Sequence, residues 1–158
     1  MATSKTIGPA GVTAAIEQLA SAIDQRHAAS ASLVLLGVAN GGVALAAELA
    51  RRLRHARRHI AVGTIDISFH RDDIGRHPIP KEFQPTHIPR DITGATVILI
   101  DDVLFSGRTI KAALDELFDH GRPAKVELAV LVDRGGRRLP VAADYTGLTL
   151  LADESEKV

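Results

Sequence analysis

The sequence contains no cysteine. That excludes disulfides, thiolate metal sites and a cysteine nucleophile, and it leaves the redox compartment open. Aromatic residues make up only 3% of the 158 positions, too few for the stacking platforms that single-strand nucleic-acid binders use. Charge of one sign is also lacking. The 19 basic side chains are balanced by 19 acidic ones, a formal net charge of +0, so no global field draws the chain to nucleic acid or to an anionic membrane. The absence of a leader pattern or a bilayer-length apolar run predicts a cytoplasmic location. At this length a single domain, 1–158, is expected, with a core large enough to fold without staples. Residues 1–11 have no periodicity and predict a loose start.

What is present is organised around Val97 to Thr109, VILIDDVLFSGRT. Val97 to Ile100 form a short, β-branched apolar run, the pattern of a strand buried on both faces of a parallel sheet. Two adjacent carboxylates, Asp101 and Asp102, repel each other and resist desolvation, so they are expected at the exposed end of that strand. Ser106, Gly107, Arg108 and Thr109 then predict a turn whose N–H groups converge at the start of a helix, a cradle for phosphate. Acceptors for sugar hydroxyls or a hydrated cation, beside donors for phosphate, suit a phosphorylated sugar. Open α/β sheets hold such ligands outside the carboxyl ends of their strands.

Around this stretch the periodicities alternate. Val12, Ile16, Leu19, Ala20 and Ile23 share one helical face. Ser32 to Val38 reads as a buried strand. Asn40, Gly41 and Gly42 lie in the glycine-rich turn after it, either a second place where backbone nears an anion or a plain tight turn. A helix bearing Val43, Ala46, Leu49, Ala50 and Leu53 follows, with Arg51, Arg52, Arg54, Arg57, Arg58 and the pair His55 and His59 at its end. That end reads as a solvated terminus favourable to the helix dipole, since a histidine pair without a third ligand nearby does not make a metal site.

Ile60 to Phe69 alternates as a half-buried strand. His70 to Asp91, with Pro78, Pro80, Pro85 and Pro89, is a long connection of a kind that is usually functional, often a lid. Its Arg71, Asp72, Asp73, Arg76 and Lys81 are placed to close over a bound anion and exclude water. Ile110, Ala113, Leu114 and Leu117 predict a helix that stops at His120-Gly121-Arg122-Pro123. Lys125 to Val132 reads as a buried strand running into Asp133-Arg134-Gly135-Gly136, and short apolar segments follow. This order predicts an α/β fold, a doubly wound, mostly parallel sheet with helices on both faces and a small C-terminal segment.

VILIDDVLFSGRT resembles the phosphoribosyl pyrophosphate motif of the type I phosphoribosyltransferases. Most of the chain is similar to one branch of that family, the pyrimidine-operon attenuation regulators that also act as uracil phosphoribosyltransferases. The carriers are Asp66 to Asp73, Ile88 to Ile92, Gly121-Arg122-Pro123, Leu128 to Gly135, Leu139-Pro140, Ala143-Asp144-Tyr145 and Ser155 to Val158. The resemblance implies transfer of phosphoribosyl from phosphoribosyl pyrophosphate to N1 of uracil, giving uridine monophosphate (UMP) and pyrophosphate. It also implies Mg2+ as cofactor and assembly as a homodimer or homotetramer. Asp101, Asp102 and Arg71 would be catalytic, the aspartates meeting ribose hydroxyls and Mg2+ directly or through water. Val103, Leu104, Ser106, Gly107, Arg108 and Thr109 would bind substrate, the last four at the 5′-phosphate. Asn40, Gly41 and Gly42 would face the pyrophosphate, and Arg134 with residues 153–158 would lie toward the uracil.

The chain departs from that pattern in places that matter. Gly41 stands where the family carries an arginine, so a cation that should meet the leaving group is missing and slow turnover is expected. His70 replaces a tyrosine before Arg-Asp-Asp. Asp153-Glu154 replace Ser-Lys-like residues, and relatives continue for a further strand past the position of Val158. Val12 to Gln25 has no Lys or Arg where RNA-binding relatives place basic residues, so RNA is not an expected partner. A nucleotide-binding homologue without turnover and an RNA-binding attenuation regulator are the alternatives.

Overall fold

The computed structural model describes residues 6–30, 32–54, 59–72 and 85–158. The apolar runs become strands Ser32–Val38 (β1), His59–Ile65 (β2), Thr96–Leu104 (β3), Lys125–Asp133 (β4) and Tyr145–Thr149 (β5). They form one all-parallel sheet in the order β2-β1-β3-β4-β5. Pro9–Arg26 (α1), Gly41–Leu53 (α2) and Arg108–Asp119 (α3) cover it. Alternate residues of a strand face opposite sides. Leu33, Leu35, Ile98 and Ile100 therefore pack with Leu19 and Ile23 of α1 and Leu45 and Leu49 of α2. Val34, Leu36, Val97 and Leu99 pack on the other side with Ile110, Ala113 and Leu117 of α3. Both faces are covered, which is why these strands read as continuous apolar runs.

The crossover from β1 to β2 runs through α2 and the one from β3 to β4 through α3, on opposite faces and in opposite directions across the sheet. The order thus reverses between β1 and β3. Among the described residues no helix is long and apolar enough to cross a membrane.

Several element boundaries differ from the sequence expectation. α1 begins at Pro9, inside the stretch expected to be loose, because proline suits the first helical position. β2 ends at Ile65 rather than Phe69. There the Asp66 carboxylate accepts hydrogen bonds from Ser68 N–H and Oγ at 3.1 and 2.7 Å, while Asp66 N–H donates to Thr86 Oγ1 at 2.9 Å. This local bonding turns the chain out of the ladder. α2 ends at Leu53 and His59 opens β2, so His59 does not sit on the helix end. His55, Arg57 and Arg58 lie outside the described residues, as do Asp73, Arg76 and Lys81 of the long connection.

Candidate active site

The crevice opens because β3 outruns β1. The two strands pair from Val34 with Val97 to Gly37 with Ile100, whereas β3 stays paired with β4 as far as Leu104 with Asp133. Asp101 and Asp102 therefore lie past the last β1–β3 pair, at the reversal of strand order where open sheets bind ligands. The strand does not stop at the acid pair, as the sequence suggested, but runs to Leu104. Nor are the two carboxylates equally exposed: Asp101 is buried and Asp102 is exposed. Burial, reinforced by the Asp102 charge, pushes the Asp101 carboxyl up to about 8. Asp101 Oδ1 accepts Asp102 N–H at 2.9 Å, and Asp102 Oδ1 accepts Val103 N–H at 2.8 Å.

The turn after β1 closes one side. A Cβ on Gly42 would strike the Ile100 carbonyl oxygen and lie 3.1 Å from Asp101 Cα, so only glycine lets the first turn of α2 rest on β3. Gly41 lies against the Asp102 carboxylate, where a Cβ would be 2.6 Å from Oδ1 and closer still to Oδ2. Ala39 N–H donates to Ile65 O at 2.9 Å, and the Ala39–Asn40 peptide is cis. The glycine-rich turn holds the positive end of α2 beside Asp102.

The turn after β3 closes the other side. Gly107 takes φ +94°, a left-handed conformation that favours glycine, and α3 starts at the next residue. Ser106 Oγ accepts Arg108 N–H at 3.2 Å, and Ser106 O accepts the N–H groups of Arg138 and Leu139 at 2.9 and 3.0 Å. Arg108 and Thr109 are exposed at the helix N-terminus. The Arg108 guanidinium pairs with Asp72, which brings the residue after Arg71 to the same mouth. Leu104 is different: its side chain is in the core and its carbonyl accepts Arg134 N–H at 3.1 Å.

A third wall comes from the loop after β4. The Arg134 guanidinium stacks 4.3 Å from the centre of the Phe105 ring and donates to Asp153 O at 2.8 Å. Arg137 holds Phe105 O and Val141 O at 2.7 and 2.9 Å, and Arg138 pairs with Glu154. An open pocket of about 590 Å³ lies among Phe105, Ser106, Arg108, Arg138 and Glu154. Phe105, Arg137 and Arg138 were not singled out from the sequence. Their one local signal was position, within the central motif or beside Gly135-Gly136.

The fold is that of solved phosphoribosyltransferases. Superposition on a hypoxanthine-guanine phosphoribosyltransferase from Bacillus anthracis str. 'Ames Ancestor' gives a TM-score of 0.74 over 94% of this chain and 85% of that one, at 23% identity. The hypoxanthine phosphoribosyltransferase from Trypanosoma cruzi in complex with IMP gives 0.69, over 89% and 72%, at 22% identity. Residues 7–157 match the phosphoribosyl transferase domain family, and the chain belongs to it, in the type I, PyrR branch. It is 50% identical over 153 residues to the Bifunctional protein PyrR of Desulfosudis oleivorans, covering 94% of this chain and 83% of that protein. With the Bifunctional protein PyrR of Streptomyces coelicolor it shares 49% over 145 residues, 90% of this chain and 75% of the relative.

Proposed function

We propose that the chain transfers the phosphoribosyl group from phosphoribosyl pyrophosphate to N1 of uracil, giving UMP and pyrophosphate. The observation that carries this reading is the meeting of the Asp101–Asp102 pair with the N-terminal ends of α2 and α3 at the β1/β3 reversal. Each helix end suits one phosphate group. In this reading the Ser106–Thr109 turn takes the 5′-phosphate, and Asn40, Gly41 and Gly42 take the pyrophosphate. Asp102 accepts hydrogen bonds from the ribose hydroxyls between them, with Asp101 behind it. Arg71 and Asp72 stand at the mouth. Phe105, Arg134 and residues 153–158 form the uracil side.

Mg2+ fits this donor set, because the ion takes carboxylate oxygens while keeping most of its water, and an exposed carboxylate here stands next to a second one. When bound with the substrate it supplies charge neutralisation on the pyrophosphate. The chain's own residues do the rest. As the C1′–O bond breaks, its electron pair leaves with the pyrophosphate oxygen, and the amides of the α2 terminus meet that growing charge without reorganising. N1 of uracil forms the new bond to C1′, and its proton passes to solvent water. One observation favours a second reading, binding without turnover: position 41 carries no side chain to supply a cation. RNA is left out of the reading because Arg26 is the single basic residue of α1 and lies 3.7 Å from Glu127 and 3.6 Å from Asp144.

Formation of UMP from uracil, phosphoribosyl pyrophosphate and Mg2+ tests the reaction. Calorimetry on Asp102→Asn tests the site. That variant should fold like its parent and bind phosphoribosyl pyrophosphate with Mg2+ about 1.5–3 kcal/mol more weakly, the scale of one charged hydrogen bond. Binding without UMP formation would favour the second reading, and unchanged affinity would remove Asp102 from the site.

A further inference from the structure

A second group of ligating side chains lies outside the crevice, where the chain after β2 meets the C-terminal half of α3. His70 Nε2 is 2.9 Å from Glu116 Oε2 and 3.2 Å from Asp119 Oδ2. Among the described residues, one ligand atom from each of these three side chains lies within 4.8 Å of the other two. His120 Nε2 sits 3.0 Å from the other oxygen of Glu116. Glu116, Asp119 and His120 share a face because they are three and four residues apart on a helix. His70 arrives from a different element, 46 positions earlier in the chain.

We propose that His70, Glu116 and Asp119 form a binding site for a divalent transition-metal ion of the zinc class, separate from the acid pair of the crevice. Donor chemistry selects the ion, since an imidazole nitrogen with two carboxylates suits zinc and its neighbours, whereas Mg2+ prefers oxygen alone. Geometry agrees. Metal–ligand bonds of about 2.0–2.1 Å in a tetrahedron place the donors about 3.3 Å apart; the histidine-to-carboxylate separations are 2.9 and 3.2 Å, and the two carboxylates offer oxygens within 4.8 Å of each other, so a small adjustment of the side chains closes the set. Charge agrees as well, because two carboxylates offset a divalent cation. His120, on the outer oxygen of Glu116, orients that carboxylate from outside the ligand sphere or fills the fourth position. The His70 and Glu116 side chains are 25% and 16% exposed, partly desolvated, while Asp119 at 65% leaves a path of entry.

The position gives the ion a consequence. His70 directly precedes Arg71 and Asp72, and Asp72 pairs with Arg108 at the first residue of α3. A metal bridging His70 to Glu116 and Asp119 pins this segment to α3 at a second point, and so holds Arg71 and Asp72 in register with the crevice mouth.

The test is calorimetric titration of the chelator-stripped full chain with ZnCl2, with the visible spectrum of a CoCl2 complex as a readout of coordination. One ion should bind with micromolar affinity and raise the melting temperature. His70→Gln and Asp119→Asn should each lower Zn2+ affinity at least tenfold and abolish that rise, while millimolar Mg2+ does not compete. Asp102→Asn should keep the Zn2+ affinity of the parent. Asp119 is exposed, so its variant carries the test if His70→Gln folds poorly. No Zn2+ binding, or affinity unchanged in Asp119→Asn, would overturn the proposal. Loss of Zn2+ binding in Asp102→Asn would place the ion in the crevice instead.

Discussion

Gly41 lies against the Asp102 carboxylate, and the proposed pyrophosphate side would turn on that contact. Gly41 is the first residue of α2, in helical backbone, so a side chain there meets no conformational penalty. Its obstacle is the Asp102 carboxylate. Moving that side chain off its rotamer costs about 0.5–1.5 kcal/mol. Restoring a cation by Gly41→Arg therefore combines a gain with a displacement, and Gly41→Ala carries the displacement alone. Comparing the two isolates the charge. We expect kcat for Gly41→Arg to exceed that for Gly41→Ala by about tenfold to a hundredfold, equivalent to about 1.4–2.7 kcal/mol at the breaking C1′ bond. Equal rates in the two variants would mean that the missing cation does not limit turnover.

At the scale of elements, the reading places two helix ends on two different phosphates, so damage to one should spare the other. Gly107 sets the entry to α3 through its left-handed φ, and a Cβ there would lie 3.1 Å from Val141 Cγ2 and 3.3 Å from Leu139 Cβ. An L-residue in that conformation costs about 1–2 kcal/mol. Gly107→Ala should lower the urea midpoint accordingly and weaken ribose 5-phosphate binding, while inorganic pyrophosphate binding at α2 is retained. Equal loss of both ligands would mean that the turns after β1 and β3 act as one unit.

Over the whole molecule, the edge opposite the crevice is held by a buried polar cluster. Glu127 Oε2 accepts from Tyr145 O–H at 2.5 Å and lies 2.8 Å from His27 Nε2, and Glu127 Oε1 is 2.8 Å from Lys125 Nζ. These contacts tie the C-terminal end of α1 to the first residues of β4 and β5. Burial opposes the charge on Glu127, but the Lys125 ammonium and the hydrogen bonds with Tyr145 and His27 outweigh it and hold the carboxyl at about 2, below its ordinary 4.5. A carboxyl depressed in the folded state stabilises fully above its unfolded value and loses that contribution as the pH falls through its folded value. Glu127→Gln should thus be less stable than the parent at pH 7. The gap in urea midpoint should close as the pH drops from about 4.5 toward 2. A gap that does not change with pH would show that packing, not charge, accounts for the role of Glu127.

The sequence by itself determined what a few consecutive residues can encode. The apolar run of β1 matches its strand from Ser32 to Val38, and α3 lies between a turn at Gly107 and a stop before Gly121-Arg122-Pro123. The covered parallel sheet follows from strands without polar alternation, and the turn into α3 follows from a glycine ahead of a helix. Tertiary structure decided what depends on which strands are neighbours. Placing β1 beside β3 sets Gly41 on Asp102, and the overhang of β3 beyond β1 makes the crevice. The pleat buries Asp101 and exposes Asp102, a distinction invisible in two adjacent identical letters. Thr86 helps to end β2 early, Arg134 covers Phe105, and His70 reaches Glu116. Each of these joins residues far apart in the chain, and periodicity and turn chemistry act only over neighbours, so the folded sheet alone brings such pairs together.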